Sequence, residues 1–430
     1  MEPITARRTR WPLPDHVAAY GDHDAFERSR KESGQWVFWE DRVQLVLEGR
    51  YDEVRPLHVE LSPTYLCNFA CPWCSCRSAR EEWSDADVFN HPRATPLTVI
   101  RDVKLERVLA NLAEYKTGIM WVGGEPTMNP LLYPAALKAD QLGLRQCLFT
   151  NGSLLNGERA AALFEANLVF IRVSLNAVTK EVHAEYHDYD PRRDYADKVL
   201  KNLADLARLR AEHRSPTLVG VSVVVDEGNL PDLEATARYL ARLCAAHGPG
   251  SIDYAIFRPA FPFYSAQIDI RDDTVDRFLG LMGPDAPMRR RLVERGIKVV
   301  VPEQSTASPD RPELDERGCL AAGWFGEVTP NGDMVLCSDR YGNPEYFIGN
   351  VAQATVDELW AGSRRRSVLQ LARQTHCYQT NCPSNGRGFF FNRLFREVEQ
   401  YREAGQMEAV GTWIHDLRAV LPTPAHSFFI

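Results

Sequence analysis

From residue 55 to residue 301 the chain alternates short runs of β-type patterning with longer stretches whose apolar residues recur every three or four positions. Runs at 58–62, 119–122, 146–150, 168–175, 217–225 and 252–258 predict six strands. Between them Leu105, Val108, Leu109 and Leu112 mark one helix face, and Leu200, Leu203 and Leu206 another. Helices are expected over 155–166, 195–212 and 230–246. Strand–helix alternation of this kind predicts an α/β fold around a parallel sheet. The connection at 75–97 is long, charged and short of apolar periodicity, which in a compact domain points to a functional loop.

Past the sixth strand the pattern loosens. Two helices over 270–296, punctuated by Pro284 and Pro287, lead to a short strand at 297–301 and a Pro/Ser/Asp-rich linker at 302–318. Beyond the linker, Asn331-Gly332 between strand patterns at 325–329 and 334–338 predicts a hairpin with a two-residue turn. One helix is expected over 356–373. The tail carries Phe389, Phe390 and Phe391, a helix running to Glu403 and another over 410–420, and its apolar end is expected to pack on the body. Trp36, Phe38 and Trp39 predict that the first segment also packs down. The organisation expected is an N-terminal extension (1–54), a first domain (55–301), a second (302–385) and a helical tail (386–430).

Length and composition narrow the class. The 430 residues are 44% hydrophobic and 25% charged, as in an ordinary globular protein. No stretch approaches 18 consecutive apolar residues, and the first twenty lack the apolar core of a signal peptide, so neither membrane nor export is expected and the location expected is cytoplasmic. The net charge of −8 argues against a nucleic-acid partner, which rewards Lys and Arg. Ten cysteines in such a chain read as metal ligands rather than disulfides.

Those cysteines are patterned. Cys67, Cys71 and Cys74 follow the first strand at C-x3-C-x2-C spacing, with Trp73 just before the last. A 4Fe–4S cluster closed by protein takes four thiolates, so three leave one iron for a ligand that is not protein. The rival reading is a zinc knuckle, which usually wants a fourth ligand. After the second strand comes Gly123-Gly124-Glu125-Pro126. Two glycines let backbone approach a ligand closely, and a carboxylate accepts from an ammonium. The cysteine triplet and the Gly-Gly-Glu segment together resemble the radical SAM family. That resemblance implies a partial (β/α)6 barrel, a 4Fe–4S cluster whose open iron is chelated by S-adenosylmethionine, and cleavage of that cofactor to a 5′-deoxyadenosyl radical. It also implies that Gly123, Gly124 and Glu125 hold the methionine amino group. Ser174 and Asn176, on one side of the fourth strand's end, would hold the ribose or carboxylate, and Trp73 would meet the adenine. Arg258, ending the sixth strand, faces cofactor, substrate or a structural ion pair. Among the other cysteines, Cys147 starts the third strand, at the end away from the mouth. Cys244 has core spacing, and Cys76 is the candidate hydrogen donor.

A second set, Cys319, Cys337, Cys377 and Cys382, flanks the hairpin and the helix after it. It resembles the SPASM/twitch extension of radical SAM proteins, which implies an auxiliary 4Fe–4S cluster; Cys377-x4-Cys382 is wider than the family's tighter pairs. A structural zinc site has the same ligand count. Four protein ligands leave no place for substrate, so an electron-transfer role is the natural expectation. The activity expected is radical oxidation of a small polar molecule (a sugar, aminocyclitol or nucleoside) in specialised biosynthesis such as that of antibiotics, with flavodoxin or ferredoxin as reductant. Epimerisation, cyclisation, sulfur insertion and peptide modification are the alternatives, and an iron–sulfur electron carrier is the non-enzymatic one.

Overall fold

The structure, a computed structural model, describes residues 36–77, 100–260, 268–301, 319–374 and 387–420, apart from 101, 214, 272, 338–339 and 341–342. Among the described residues ten strands form one sheet. In chain order they are β1 (His58–Leu61), β2 (Gly118–Trp121), β3 (Gln146–Thr150), β4 (Phe170–Ser174), β5 (Leu218–Val225), β6 (Tyr254–Pro259), β7 (Lys298–Val300), β8 (Phe325–Val328), β9 (Asp333–Val335) and β10 (Phe347–Asn350). The first seven run parallel in sequence order. The short run at 297–301 is thus a seventh parallel strand beside β6, one more than the six βα units expected.

Three further features differ from, or go beyond, the sequence pattern. The hairpin extends the main sheet: β8 pairs in parallel with β1, His58 opposite Phe325 and Leu61 opposite Val328. An unpaired β1 would leave the sheet an open edge, and β8 covers it. The turn is not centred on Asn331-Gly332. Gly332 donates to the Thr329 carbonyl at 2.8 Å, so Pro330 and Asn331 are the central residues, and Gly332 follows at φ +86°. Proline's fixed φ suits the first central position, and glycine the left-handed residue after it. The single helix expected over 356–373 is two, Val356–Ala361 and Ser363–Gln374, because Gly362 is extended at ψ 153°.

Alternation sorts the strand residues. Leu148, Ile171, Val221 and Phe257 are fully buried against the helices in the main core. Their alternates Phe149, Arg172, Ser174, Ser222, Tyr254 and Ile256 are half-buried, and Arg258 is exposed. A period of two puts all of these on the other face, the inner face of the partial barrel. Its floor is apolar: Met120, Cys147 and Phe170 form a small cluster of their own.

A second core joins the two ends of the chain. Val37, Trp39, Val43 and Tyr51 pack with Phe391, Phe395, Ile414 and Leu417 around Trp324. The Trp39 and Trp324 rings lie 5.0 Å apart, and Trp324 and Phe395 stack at 5.3 Å. The early aromatic segment therefore packs on the tail helices, at the β8 end where Trp324 enters the sheet. The last ten residues, and the loop at 78–99, lie outside the described residues. No described helix is long and apolar enough to cross a membrane.

Candidate functional site: a cysteine loop clamped by two glycines

The cysteine loop leaves β1 and is held from three sides. Beneath it runs the Gly-Gly-Glu segment: Gly124 donates to the Thr64 carbonyl at 2.9 Å and Glu125 to the Leu66 carbonyl at 2.8 Å. A Cβ on Gly123 would sit 2.4 Å from Thr64 O, and one on Gly124 2.3 Å from Leu66 O. These glycines are needed because backbone packs on backbone there; the expectation had them making room for a ligand.

On the second side, the helix Lys180–Tyr186 and the turn after it receive the loop. Phe69 stacks on Tyr189 with centroids at 5.2 Å, and lies 5.7 and 5.1 Å from the rings of His183 and His187. Ala70 donates to the His187 carbonyl at 3.0 Å, and the Trp73 indole N–H to the Tyr186 carbonyl at 3.1 Å. On the third side, Asn151 Nδ2 donates to Asn68 Oδ1 at 3.0 Å, and Asn68 Nδ2 to Ser153 Oγ at 2.9 Å. Phe69, Asn68, His183 and His187 were not singled out in the sequence. Only the unusual density of aromatics and histidines at 183–195 hinted at them.

Glu125 is 1% exposed, and its carboxylate accepts from Thr127 N, Thr127 Oγ1, Thr150 Oγ1 and Asn151 N. It joins the ends of β2 and β3 rather than facing open space. Burial pushes its pKa up, against the pull of those four donors. Asn176 is equally engaged: 2% exposed, Nδ2 against His187 Nε2 at 3.1 Å and Oδ1 accepting from Val224 N at 2.9 Å. Ser174 stands half-buried on the inner face, Arg258 is exposed on it, and Trp73 is half-buried at the loop's end.

Cys67, Cys71 and Cys74 carry free thiols. Crowding by protein, then the Glu125 carboxylate, pushes the Cys67 thiol up to about 12; burial, then the other two sulfurs, raises Cys71 well above the ordinary thiol value. Thiols this reluctant to ionise become thiolates when a metal centre supplies the positive charge. The backbone spacing, free thiols and stitched loop fit a cluster held at three corners. Cys76 is 6% exposed and lies near Tyr65, whose pKa is raised by burial, then by Glu327, with Cys76 a smaller contributor. Cys147 lies in the floor and Cys244 in the main core.

The two described cysteines of the second set, Cys319 and Cys337, lie at the other end of the β1/β8 pair. Cys319 precedes β8 by six residues, and Cys337 follows the antiparallel β9 by two. Both therefore sit at the strand-start end of β8, whereas Cys67 lies beyond the strand end of β1. Cys319 Sγ accepts from Asn392 Nδ2 at 3.0 Å, tying this site to the tail helix. Cys377 and Cys382 lie outside the described residues. Between the two ends, Glu327 on β8 is wholly buried and accepts from Tyr65 Oη at 2.6 Å and Ser62 Oγ at 3.2 Å.

Comparison with known proteins matches two regions of the chain. Residues 61–240 match the radical SAM superfamily and residues 319–383 the SPASM iron–sulfur cluster-binding domain. The chain is 28% identical over 345 residues to PqqA peptide cyclase of Rhodopseudomonas palustris, covering 76% of this chain and 79% of that protein. It is 31% identical over 262 residues to dTDP-4-amino-4,6-dideoxy-D-glucose ammonia-lyase of Streptomyces venezuelae, covering 55% of this chain and 51% of the lyase. In fold it is similar to Streptococcus suis SuiB bound to S-adenosylmethionine, with a TM-score of 0.55 at 15% identity over 83% of this chain and 78% of that one.

Proposed function

This chain is a radical SAM enzyme with a C-terminal SPASM domain, and on that premise we propose that it oxidises a small polar substrate, such as a sugar, aminocyclitol or nucleoside, in specialised biosynthesis. Such domains bind S-adenosylmethionine and 4Fe–4S clusters, which when bound supply a radical able to remove hydrogen from carbon. Cys67, Cys71 and Cys74 would hold the first cluster, with Gly123 and Gly124 fixing their loop and Glu125 bracing the strand ends beneath it. Cys319, Cys337, Cys377 and Cys382 would hold the second.

The observation that carries the reading is the inner face of the barrel. Its half-buried residues include Arg172, Ser174, Ser222 and Tyr254, which give that face a polar stretch. Polar side chains at that depth suit a hydroxylated or charged small molecule. The lyase relative is named for an amino sugar, which points the same way. In an oxidation the substrate loses one hydrogen as an atom and one as a proton; the second cluster would take the remaining electron. A reductant such as flavodoxin or ferredoxin would prime the first. The second reading is peptide modification, favoured by the similarity to a peptide cyclase over most of both chains.

The test uses anaerobically reconstituted enzyme with S-adenosylmethionine, dithionite and panels of sugars, aminocyclitols, nucleosides and peptides. An accepted small molecule should raise 5′-deoxyadenosine formation and return about two mass units lighter. A product of unchanged mass would replace oxidation with epimerisation, and turnover of peptides alone would overturn the small-molecule reading.

A further inference from the structure

Four consecutive register partners form one rung across the inner face: Phe149 on β3, Arg172 on β4, Gly220 on β5 and Tyr254 on β6. The Arg172 guanidinium lies 4.6 Å from the Phe149 ring centroid, 5.0 Å from that of Phe170 and 5.4 Å from that of Tyr254. Its Nε donates to Tyr254 Oη at 3.2 Å. The cage depends on the residue between: a Cβ on Gly220 would stand 2.1 Å from Tyr254 Cζ, so any larger residue there would move the ring.

This arginine is half-buried and, among the described residues, pairs with no carboxylate and donates no other hydrogen bond. Two arginines elsewhere show the contrast: Arg42 caps three carbonyls and Arg277 pairs with Glu227. Aromatic faces attract a guanidinium and fix its plane, but they leave its terminal N–H groups unfilled. A planar fork of that kind matches two oxygens of one anion. We propose that the Phe149–Arg172–Gly220–Tyr254 rung is a subsite for an anionic group of the substrate, a carboxylate or a phosphate. This rests on the reading of the inner face as the substrate chamber. Arg172 lies two residues below Ser174, about 7 Å deeper along the strand, so the anion would anchor near the floor and leave the reacting carbon towards the mouth.

The experiment measures apparent dissociation constants of inorganic phosphate and of acetate for the reconstituted holoenzyme, from melting-temperature shifts at constant ionic strength. Wild type should bind one of the two saturably; acetate preference assigns a carboxylate, phosphate preference a phosphoryl group. Arg172→Lys should weaken that binding about tenfold, since a point charge replaces a fork, and Tyr254→Phe should weaken it several-fold at unchanged iron content. Equal binding by wild type and Arg172→Lys, or binding of neither anion by wild type, overturns the proposal. So does a loss of S-adenosylmethionine affinity in Arg172→Lys that matches the anion effect, because it would give Arg172 to the cofactor. Failure of the underlying reading is a separate result: wild type would form no 5′-deoxyadenosine with any small molecule.

Discussion

The backbone N–H of Glu125 donates to the carbonyl of Leu66 at 2.8 Å, one residue before Cys67. With the neighbouring bond from Gly124 to Thr64, it makes the Gly-Gly-Glu segment and the cysteine loop one unit. Two motifs separated by some fifty residues in sequence are the two halves of a clamp.

Gly124→Ala should therefore act on the metal site without touching a ligand. Its Cβ would meet a backbone oxygen at 2.3 Å, which no side-chain rotation relieves. The expected result is loss of about half the bound iron and a fall of at least a hundredfold in S-adenosylmethionine cleavage. Gly411→Ala is the control, since nothing lies within 4 Å of its Cβ. In the helix Met407–Val420 it should raise stability by about 0.5–1 kcal/mol, read from thermal melting.

Glu125→Gln replaces an acceptor-only group with one that carries an amide N–H2. All four partners of Glu125 donate to it, two of them backbone N–H groups that cannot turn around. One buried donor is left facing another, which costs about 1–3 kcal/mol. Denaturant titration of the apoprotein measures it.

The histidines beside Phe69 make the clamp acid-sensitive. Burial, then the neighbouring His187, holds His183 at about 3, and burial holds His187 at about 4, against an ordinary 6.5. The unfolded chain binds these protons as pH falls through 6.5, while the native protein refuses them until about 4 to 3. Stability therefore falls from about pH 6.5 downward and levels below the native values. At about 1.4 kcal/mol per unit the pair accounts for several kcal/mol. His183→Phe should flatten the melting-temperature decline of the apoprotein between pH 6.5 and 4.5, because it removes one of the two titrating rings, at the cost of the 2.7 Å bond between His183 Nδ1 and Tyr189 Oη. An unchanged slope would place the acid sensitivity elsewhere.

Trp324→Ala should separate the two cores. The indole joins Trp39 and Phe395 between the two chain ends, and its loss costs about 3–5 kcal/mol. Limited proteolysis should then cut residues 37–57 and 391–417 first, while the sheet core persists.

What the sequence revealed and what it hid divide along local against long-range information. The strands at 146–150 and 217–225, the cysteine triplet and Gly-Gly-Glu are each written in a few contiguous residues. Alternation alone set Ser174 on the side of the strand opposite Val173 and Leu175. The Phe149–Arg172–Gly220–Tyr254 rung was invisible, because it exists only once four strands are in register. The pairing of β8 with β1 was hidden for the same reason: more than 260 residues separate Leu61 from Val328. Pro330 was legible and was outweighed by the Asn-Gly signal beside it. Glu125 shows the limit of a motif, since spacing names the residue and only packing shows how many donors surround it.

The central claim is that Cys67, Cys71 and Cys74 hold one cluster and the set beyond residue 318 holds another, at opposite ends of the β1/β8 pair. Iron and sulfide counts with a 5′-deoxyadenosine assay, on wild type beside the Cys67→Ala/Cys71→Ala/Cys74→Ala variant, test it most directly. The account predicts about eight irons in wild type, about four in the variant, and 5′-deoxyadenosine from wild type alone. A variant that keeps all its iron, or still cleaves S-adenosylmethionine, would contradict it.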